Sequence, residues 1–440
     1  MHFMSDVDTS NGDEVRRGQY DPDADIAFFD IEVFPNLFIF VYKPVGQDCK
    51  VLVNPDGHVL QDVFSNYRLI GFNNRRYDNH ICYARMQGYS LHELYDLSQK
   101  IINDSKNCMF SNAFNMSYTD VYDFSSAGNK KGLKKWEIEL GISHVENELP
   151  WDQPVPEELW DQVARYCCND VESTEIVFNH LQSDWIARQI LADLSGLSVN
   201  DTTNQHTTKI IFGNNKHPQS VFQYRDLSKP VKWLPEDVKR FLWDRFPEMM
   251  KWWSENTDSL LPYFPGYSFD HGKSIYKGIE VGEGGYVEAI PGMYGMVALL
   301  DVASMHPHSM LAECIFGPYT ERLADLVDGR VSIKHEDWQM IHDVFEGKLD
   351  KYVEKAIDGE ITSKQLSNAL KTAINSVYGL TDAKFENPFR DVRNKDNIVA
   401  KRGALFMVDL AEAVKAKGYT VAHIKTDSIK IPNMDQEIID

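Results

Sequence analysis

The sequence predicts a multidomain protein in which an α/β domain precedes an α+β domain. Its 440 residues suffice for two or three domains at about 150 residues each. Aromatic and β-branched segments followed by a long amphipathic helix indicate the α/β part, and isolated apolar strands within helix-prone sequence indicate the α+β part. We expect a flexible tail at 1–22, a first domain at 23–185, a connecting region at 186–280 and a second domain at 281–440.

Composition and charge narrow the class of protein. Apolar residues make up 43% and charged residues 25% of the chain, which excludes a mostly disordered, collagen-like or disulfide-dense protein. The formal charge of −21 argues against nucleic acid as a partner, although a local site can differ in sign from the whole. No apolar run approaches the roughly 20 residues that span a bilayer, and the polar start is no signal peptide. Six cysteines form no C-x-x-C pair, so we expect no zinc site and a reduced, cytoplasmic protein without a membrane partner.

The first domain is predicted from its strand and helix signals in order. The segment 26–42 is rich in aromatic and β-branched residues and is interrupted at Pro35-Asn36, which predicts two strands joined by a turn. A short apolar strand follows at 68–74. Pro156 begins a predicted helix that ends at Leu181. The apolar stripe of this helix consists of Leu159, Val163, Ala164, Cys167, Val171 and Ile176.

Signals in the second half are fewer. We interpret the tryptophans of the connecting region as packing residues, with base stacking as the alternative. They are Trp233, Trp243, Trp252 and Trp253. We also predict a strand at 296–300 and a hairpin at 419–431. Between them lies a helix-prone stretch at 335–378 that breaks near Asp358-Gly359.

Four acids and a tyrosine in the first domain are candidates for a metal site. Asp30 and Glu32 share one face of a strand, and Asp78 follows the next strand. Tyr166 and Asp170 lie four apart on the helix and share its face. Four neighbouring carboxylates repel one another unless cations lie among them, and two divalent metals about 3.5–4 Å apart could also activate a water molecule. Carboxylate oxygens suit Mg²⁺ or Mn²⁺, while the alternative is a chance set of acids in solvent.

A second group of candidates lies in the second domain. Asp301 ends a predicted strand, and Asp427 lies at the tip of the predicted hairpin. Lys371, Asn375 and Tyr378 follow at i, i+4 and i+7 on a helix and therefore line one face. Two acids on neighbouring strands and a lysine on a facing helix fit two-metal phosphoryl transfer, in which the lysine offsets triphosphate charge.

The first group resembles the DEDD-type 3′–5′ exonucleases that carry a tyrosine in their third motif. The motifs in order are Asp30-x-Glu32, Asn74 to Asp78, and Tyr166-x-x-x-Asp170. By this resemblance Asp30, Glu32, Asp78 and Asp170 hold two Mg²⁺ or Mn²⁺ ions, and Tyr166 positions the attacking water. The implied domain is ribonuclease H-like, and the implied substrate is a single-stranded 3′ end.

The second group resembles family B DNA polymerases, especially those of bacteriophages. Asp301 to Pro307 looks like D-x-x-S-L-Y-P, Lys371 to Gly379 matches K-x-x-x-N-S-x-Y-G, and Lys425 to Ser428 looks like D-T-D-S. Gly282 to Tyr286 resembles the glycine-rich element that precedes the palm. The implied architecture is a polymerase palm with short helical fingers after a proofreading exonuclease, acting on primer–template DNA in the cytoplasm of a bacterial host.

The polymerase resemblance also implies residue roles. Asp301 and Asp427 bind two Mg²⁺ or Mn²⁺ ions with help from the Val302 carbonyl, and Lys371 contacts the triphosphate of the incoming dNTP. The residues that line the nucleotide or border the new base pair are Ser304, Met305, His306, Asn375 and Tyr378.

The sequence departs from these families at several positions. Lys425 replaces an aspartate, His306 replaces the tyrosine beneath the sugar, and Gly132 replaces a hydroxyl residue that holds the single strand. Gly132 lies in the lysine-rich segment Lys130 to Trp136, which is either a solvated face or a phosphate-contacting patch with an aromatic for a base. The chain ends soon after the third polymerase motif, so we expect a fragment or one half of a split enzyme, with a thumb that a second chain could supply.

Three functions remain open at this point. The first is a template-directed DNA polymerase with a proofreading 3′–5′ exonuclease for phage DNA replication. The second is a hydrolase in which only the exonuclease works and the palm synthesises poorly. The third is a non-catalytic DNA-binding remnant, which the seven intact acidic and tyrosine positions disfavour.

Overall fold

The fold was obtained as a computed structural model, which describes most of the chain. The described residues are 25–103, 107–125, 129–143, 145–146, 148–222, 225–232, 234–256, 258, 261, 263–282, 284–392 and 397–436. The predicted tail at 1–22, Trp233 and Glu283 therefore lie outside them. The chain forms two compact units, of which the first extends to Ala192 and adds Gly196–Asp201, and the second comprises Asp193–Ser195 and the chain from Thr202 onward. The three-part division at residues 185 and 280 stays a prediction.

The first unit is built on a five-stranded mixed sheet. Its strands are β1 (Ile26–Phe34), β2 (Leu37–Pro44), β3 (Lys50–Val53), β4 (Arg68–Gly71) and β5 (Thr119–Asp120), in the spatial order β3-β2-β1-β4-β5. Strands β1, β2 and β3 pair antiparallel, whereas β4 pairs parallel with both β1 and β5. The helices are α1 (Gly57–Asn66), α2 (Asp78–Met86), α3 (Leu91–Asn103), α4 (Leu133–Leu140), α5 (Trp160–His180) and α6 (Gln182–Ser195).

Strand β1 is buried on both faces because helices cover the sheet from each side. Phe28 and Phe34 belong to the core that includes Val163, Cys167 and Val171 of α5. The alternate residues Ala27, Phe29 and Ile31 belong to a second core on the opposite face, with residues of α1, α2 and α3. The period of two along the strand thus places Asp30 and Glu32 on the face that α5 covers.

The predicted elements of the first unit are present with shifted ends. The two strands and the turn at Pro35-Asn36 are confirmed. The helix predicted from Pro156 begins as a 3₁₀ turn at Glu157–Leu159 and continues as α5. Ile176 was wrongly assigned to its buried stripe: it is 44% exposed, because nine residues beyond Cys167 place it on the opposite side of a helix with 3.6 residues per turn.

The described part of the second unit contains two small antiparallel sheets. The three-stranded sheet consists of β6 (Ser268–Asp270), β7 (Lys273–Tyr276) and β8 (Ile279–Val281). The four-stranded sheet consists of β9 (Val287–Ala289), β10 (Val297–Asp301), β11 (His423–Lys425) and β12 (Ser428–Pro432), in the order β10-β12-β11-β9. Ile424, Ile429 and Ile431 bury one face of the larger sheet, whereas Leu299 and Lys430 leave the other face open to solvent.

Helices make up most of the remaining second unit. They are α7 (Thr203–Phe212), α8 (Glu236–Arg245), α9 (Pro247–Asn256), α10 (Met305–Ala312), α11 (Thr320–Lys334), α12 (Trp338–Phe345), α13 (Asp350–Ile357), α14 (Ser363–Thr381) and α15 (Ile398–Ala416). The stretch 335–378 breaks near Asp358 as predicted, and a second time where Glu346 and Gly347 adopt left-handed backbone. Trp253 is buried and Trp243 packs against a core cluster, whereas Trp252 is half exposed. Among the described helices, none is long and apolar enough to cross a membrane.

Candidate functional site

The structure brings three acids of the first unit together at one point. Strand β1 presents Asp30 and Glu32 on one face, and α5 brings Asp170 against them. Carboxylate oxygens of the three residues lie within 4.8 Å of one another. Asp78, the first residue of α2, is buried, and its charge acts on both Asp30 and Glu32. The four acids that the sequence predicted as metal ligands thus form one electrostatic cluster.

A buried aspartate holds the turn that leads into Asp78. Asp120, at the end of β5, accepts backbone N–H groups from Asn73 at 2.7 Å, Arg75 at 3.1 Å and Tyr122 at 3.0 Å. Asn73 has a left-handed φ of 61°, so the chain reverses sharply there. Asp120 could not be identified from the sequence, because its partners come from two separate turns that only the folded sheet brings together.

The acids repel one another and are poorly solvated. Burial, together with the charges of Asp170 and Asp78, raises the pKa of Glu32 to about 8. Burial likewise raises the pKa of Asp78 to about 7, and burial plus its three acidic neighbours raises the pKa of Asp30 well above its ordinary value. A cation among these carboxylates would relieve both the repulsion and the desolvation. The all-oxygen ligand set of Asp30, Glu32 and Asp170 fits Mg²⁺ or Mn²⁺.

Two side chains of α5 contact these acids directly. The Tyr166 hydroxyl donates to the Asp170 carboxylate, and burial together with the acidic neighbours raises its pKa. Tyr166 therefore keeps its proton and can orient a water molecule but cannot act as a base. The thiol of Cys167 donates to Oδ2 of Asp30 at 3.6 Å, a contact that sequence spacing does not reveal.

Three of the four lysines in the lysine-rich segment pair with acidic residues, and the fourth, Lys135, is exposed. Trp136 is 8% exposed and belongs to the core, so its ring is closed to a base. Lys131 lies over that ring and pairs with Glu139, while Lys130 pairs with Asp123 and Lys134 with Glu146. The exposed Gly132 directly precedes α4 as its N-terminal cap residue.

The second unit places its two predicted metal ligands side by side. Asp301 lies opposite Ser428 in the β10–β12 register. The Val302 N–H donates to the carbonyl of Asp427 at 2.8 Å. Asp427 lies in the turn between β11 and β12, where Thr426 has a left-handed φ of 57°. The end of strand β10 and the tip of the hairpin therefore lie next to each other.

The glycine-rich element packs against this hairpin tip. The Thr426 N–H donates to the Tyr286 carbonyl at 3.0 Å, and its hydroxyl donates to the Gly284 carbonyl at 3.3 Å. Gly285 has a φ of 111°, and a Cβ there would lie 3.3 Å from Cγ2 of Thr426. The glycines thus allow a close approach of two backbones beside Asp427.

Residues of α10 and α14 meet near Asp427. The rings of His306 and Tyr378 stack in parallel, with centroids 4.2 Å apart and an angle of 4° between their planes. Burial lowers the pKa of His306, and the nearby charge of Asp427 opposes this effect. Ser304 receives a hydrogen bond from Arg330 at 2.9 Å, which the sequence did not indicate. The Met305 side chain is buried in the core, so only its backbone can face a nucleotide.

The remaining predicted residues lie on open surfaces. Lys371 and Asn375 are exposed on one face of α14, and no described residue forms an ion pair with Lys371. Lys425 is exposed on β11, next to Ser428 in register, and it forms no ion pair within the part of the chain that the structure describes. Both ammonium groups are accessible to phosphate.

Comparisons with known proteins leave the family open. No protein-family model matches the sequence, and no curated protein matches it. The structure is similar to that of the family B DNA polymerase from the hyperthermophilic archaeon Pyrobaculum calidifontis, with 15% identity and a TM-score of 0.46. The match covers 95% of this chain and 54% of that polymerase, so this chain spans about half its length. At this TM-score the likeness carries no argument about function.

Proposed function

We propose that the first unit is a ribonuclease H-like 3′–5′ exonuclease that removes nucleotides from single-stranded DNA ends. The observation that carries this proposal is the cluster of Asp30, Glu32 and Asp170, with oxygens within 4.8 Å of one another and a tyrosine bound to Asp170. The sheet, in which three antiparallel strands are followed by two parallel ones, supports the fold.

Each residue of the first cluster has a role that follows from its chemistry. Asp30, Glu32, Asp78 and Asp170 would hold two Mg²⁺ or Mn²⁺ ions, which supply an activated water and stabilise the leaving oxygen. Tyr166, protonated and already bonded to Asp170, would orient that water toward the phosphorus. The Cys167 thiol donates to Oδ2 of Asp30, which leaves Oδ1 of the same carboxylate to bind a metal ion.

We propose that the second unit is the palm and fingers of a family B DNA polymerase of the bacteriophage type. Its support is the pairing of Asp301 with the Asp427 hairpin, together with the motif sequences that carry both residues. Lys371 would contact the triphosphate of the dNTP, and Lys425 and Lys430 give the open sheet face positive charge despite the acidic chain. Proofreading of phage DNA replication is the function of the two units together.

Two crossed sets of variants test the proposal. Asp30→Ala with Glu32→Ala should abolish Mg²⁺-dependent degradation of a labelled single strand and leave primer extension intact. Asp427→Ala should abolish extension and leave degradation intact. Degradation by the double variant at the parent rate would refute the exonuclease assignment. A parent protein that degrades but never extends would favour the exonuclease-only hydrolase, and one that does neither would favour a DNA-binding remnant.

A further inference from the structure

We propose that Glu137 is a positioning residue of the exonuclease site, which acts by fixing the rotation of α5 about its own axis. The inference rests on the proposed exonuclease function. Helix α5 carries Tyr166 and Asp170, whereas Glu137 lies on α4 and belongs to none of the motifs. Glu137 is hydrogen-bonded to Asn169 and Ser173 of α5, which lie on either side of Asp170 in the sequence.

The Glu137 carboxylate is anchored to α5 on both sides of Asp170. Glu137 is 1% exposed, and a carboxylate at that depth persists only with hydrogen-bond partners. Its Oε1 accepts the Ser173 hydroxyl at 2.8 Å and the Asn169 amide at 3.3 Å. Asn169 directly precedes Asp170 and Ser173 follows it by one turn, so both donors lie on the same face of α5.

The geometry of a helix turns a small rotation into a large displacement at the site. The apolar stripe of α5 packs through non-directional contacts, which tolerate small rotations, whereas hydrogen bonds lose strength as their angle changes. A side chain on a helix extends about 5–6 Å from the axis, so a rotation of roughly 10° moves the Asp170 carboxylate by about 1 Å. A displacement of that size at a reacting centre can cost about 100-fold in rate. Glu137 therefore holds Asp170 and Tyr166 where they meet Asp30.

The test separates positioning from core stability. Glu137→Ala should lower kcat for single-strand degradation by about 10- to 100-fold. It should also raise several-fold the Mn²⁺ concentration that half-saturates the protein, measured without DNA from the electron paramagnetic resonance signal of free Mn²⁺. Glu137→Gln keeps an acceptor oxygen and should restore most of both quantities. The matched control is Leu97→Ala, which opens a cavity in the core on the other face of the sheet and should change neither.

Each outcome decides the proposal. If Glu137→Ala binds Mn²⁺ and degrades DNA as the Leu97→Ala control does, Glu137 is a core residue only. Should Glu137→Ala fail to fold by circular dichroism, Ser173→Ala removes the shorter bond alone and must shift Mn²⁺ binding in the same direction, or the proposal fails. A parent protein that binds no Mn²⁺ and degrades no strand refutes the exonuclease function itself, and the positioning role with it.

Discussion

Replacing Glu32 by Gln should stabilise the metal-free protein in alkaline solution and change its stability little in mild acid. Burial and the charges of Asp170 and Asp78 raise the pKa of Glu32 from its ordinary 4.5 to about 8. Between those two values the native chain keeps a proton that the unfolded chain releases. The stability due to this proton is fully present below pH 4.5 and is lost as the pH rises through 8. The Gln side chain does not ionise, so the Glu32→Gln variant does not lose this stability as the pH rises.

The structure sets the size of the effect. The difference between pKa values of 4.5 and about 8, at 1.36 kcal/mol for each unit, gives an upper limit of roughly 5 kcal/mol. Glu32 is partly exposed, and solvent reduces the penalty, so we expect Glu32→Gln to exceed the parent by roughly 2–3 kcal/mol at pH 8.5. Near pH 5, half a unit above the pKa of the unfolded chain, the difference should fall below about 1 kcal/mol.

Urea unfolding in EDTA from pH 5 to pH 8.5 measures this difference. The thiol of Cys82 is buried in the first unit, so its alkylation, detected by mass spectrometry, measures the unfolding of that unit alone. Glu158→Gln, at an exposed position before α5, is the matched control and should follow the parent at every pH. Mg²⁺ at pH 8 should stabilise the parent more than Glu32→Gln. Parallel pH profiles for the parent and Glu32→Gln would refute the reasoning.

Three further predictions concern the second unit. His306→Tyr should raise the ratio of kcat/KM for dNTP over rNTP by about tenfold, since a larger ring fills the space beneath the sugar; an unchanged ratio would contradict this role. Gly285→Ala should impair extension but not degradation on one labelled primer–template, because its φ of 111° is strained for alanine and its Cβ would press on Thr426; equal loss of both activities would count against it. Lys425→Ala should weaken primer–template binding and lower the slope of log binding constant against log salt concentration by about one phosphate contact. An unaltered slope would show that Lys425 does not contact DNA.

Local patterns predicted the elements that carry the candidate site. The aromatic run of β1 and β2, broken at Pro35-Asn36, fixed a strand pair, and the periods of two and 3.6 placed Asp30 with Glu32 and Tyr166 with Asp170. These periods are properties of a single element, so sequence suffices to find them. Helices α11 and α15 were not predicted, because their burial arises from packing on several sides and blurs the amphipathic pattern.

The contacts that orient the site residues could not be predicted from the periodicity of single elements. Asp120, Cys167 and Glu137 act through partners far along the chain, and each joins elements that meet only after folding. Their residue types carry no signal, since a buried aspartate, cysteine or glutamate looks like any other in sequence. The same holds for Met305, whose side chain the motif places beside the nucleotide and the packing places in the core.

The two acidic sites differ in how completely the protein alone can hold a metal. The first gathers three carboxylates within 4.8 Å, with the buried Asp78 close enough to act on them. The second offers Asp301 at the end of a strand and Asp427 in the neighbouring turn, and Mg²⁺ bound by only one or two carboxylates completes its shell with water and substrate phosphates. We therefore expect the exonuclease site to bind Mn²⁺ without DNA, and the polymerase site to bind it well only when a nucleotide triphosphate is present. In a single chain, free dNTP would then govern metal occupancy at the site of synthesis while leaving the site of degradation loaded.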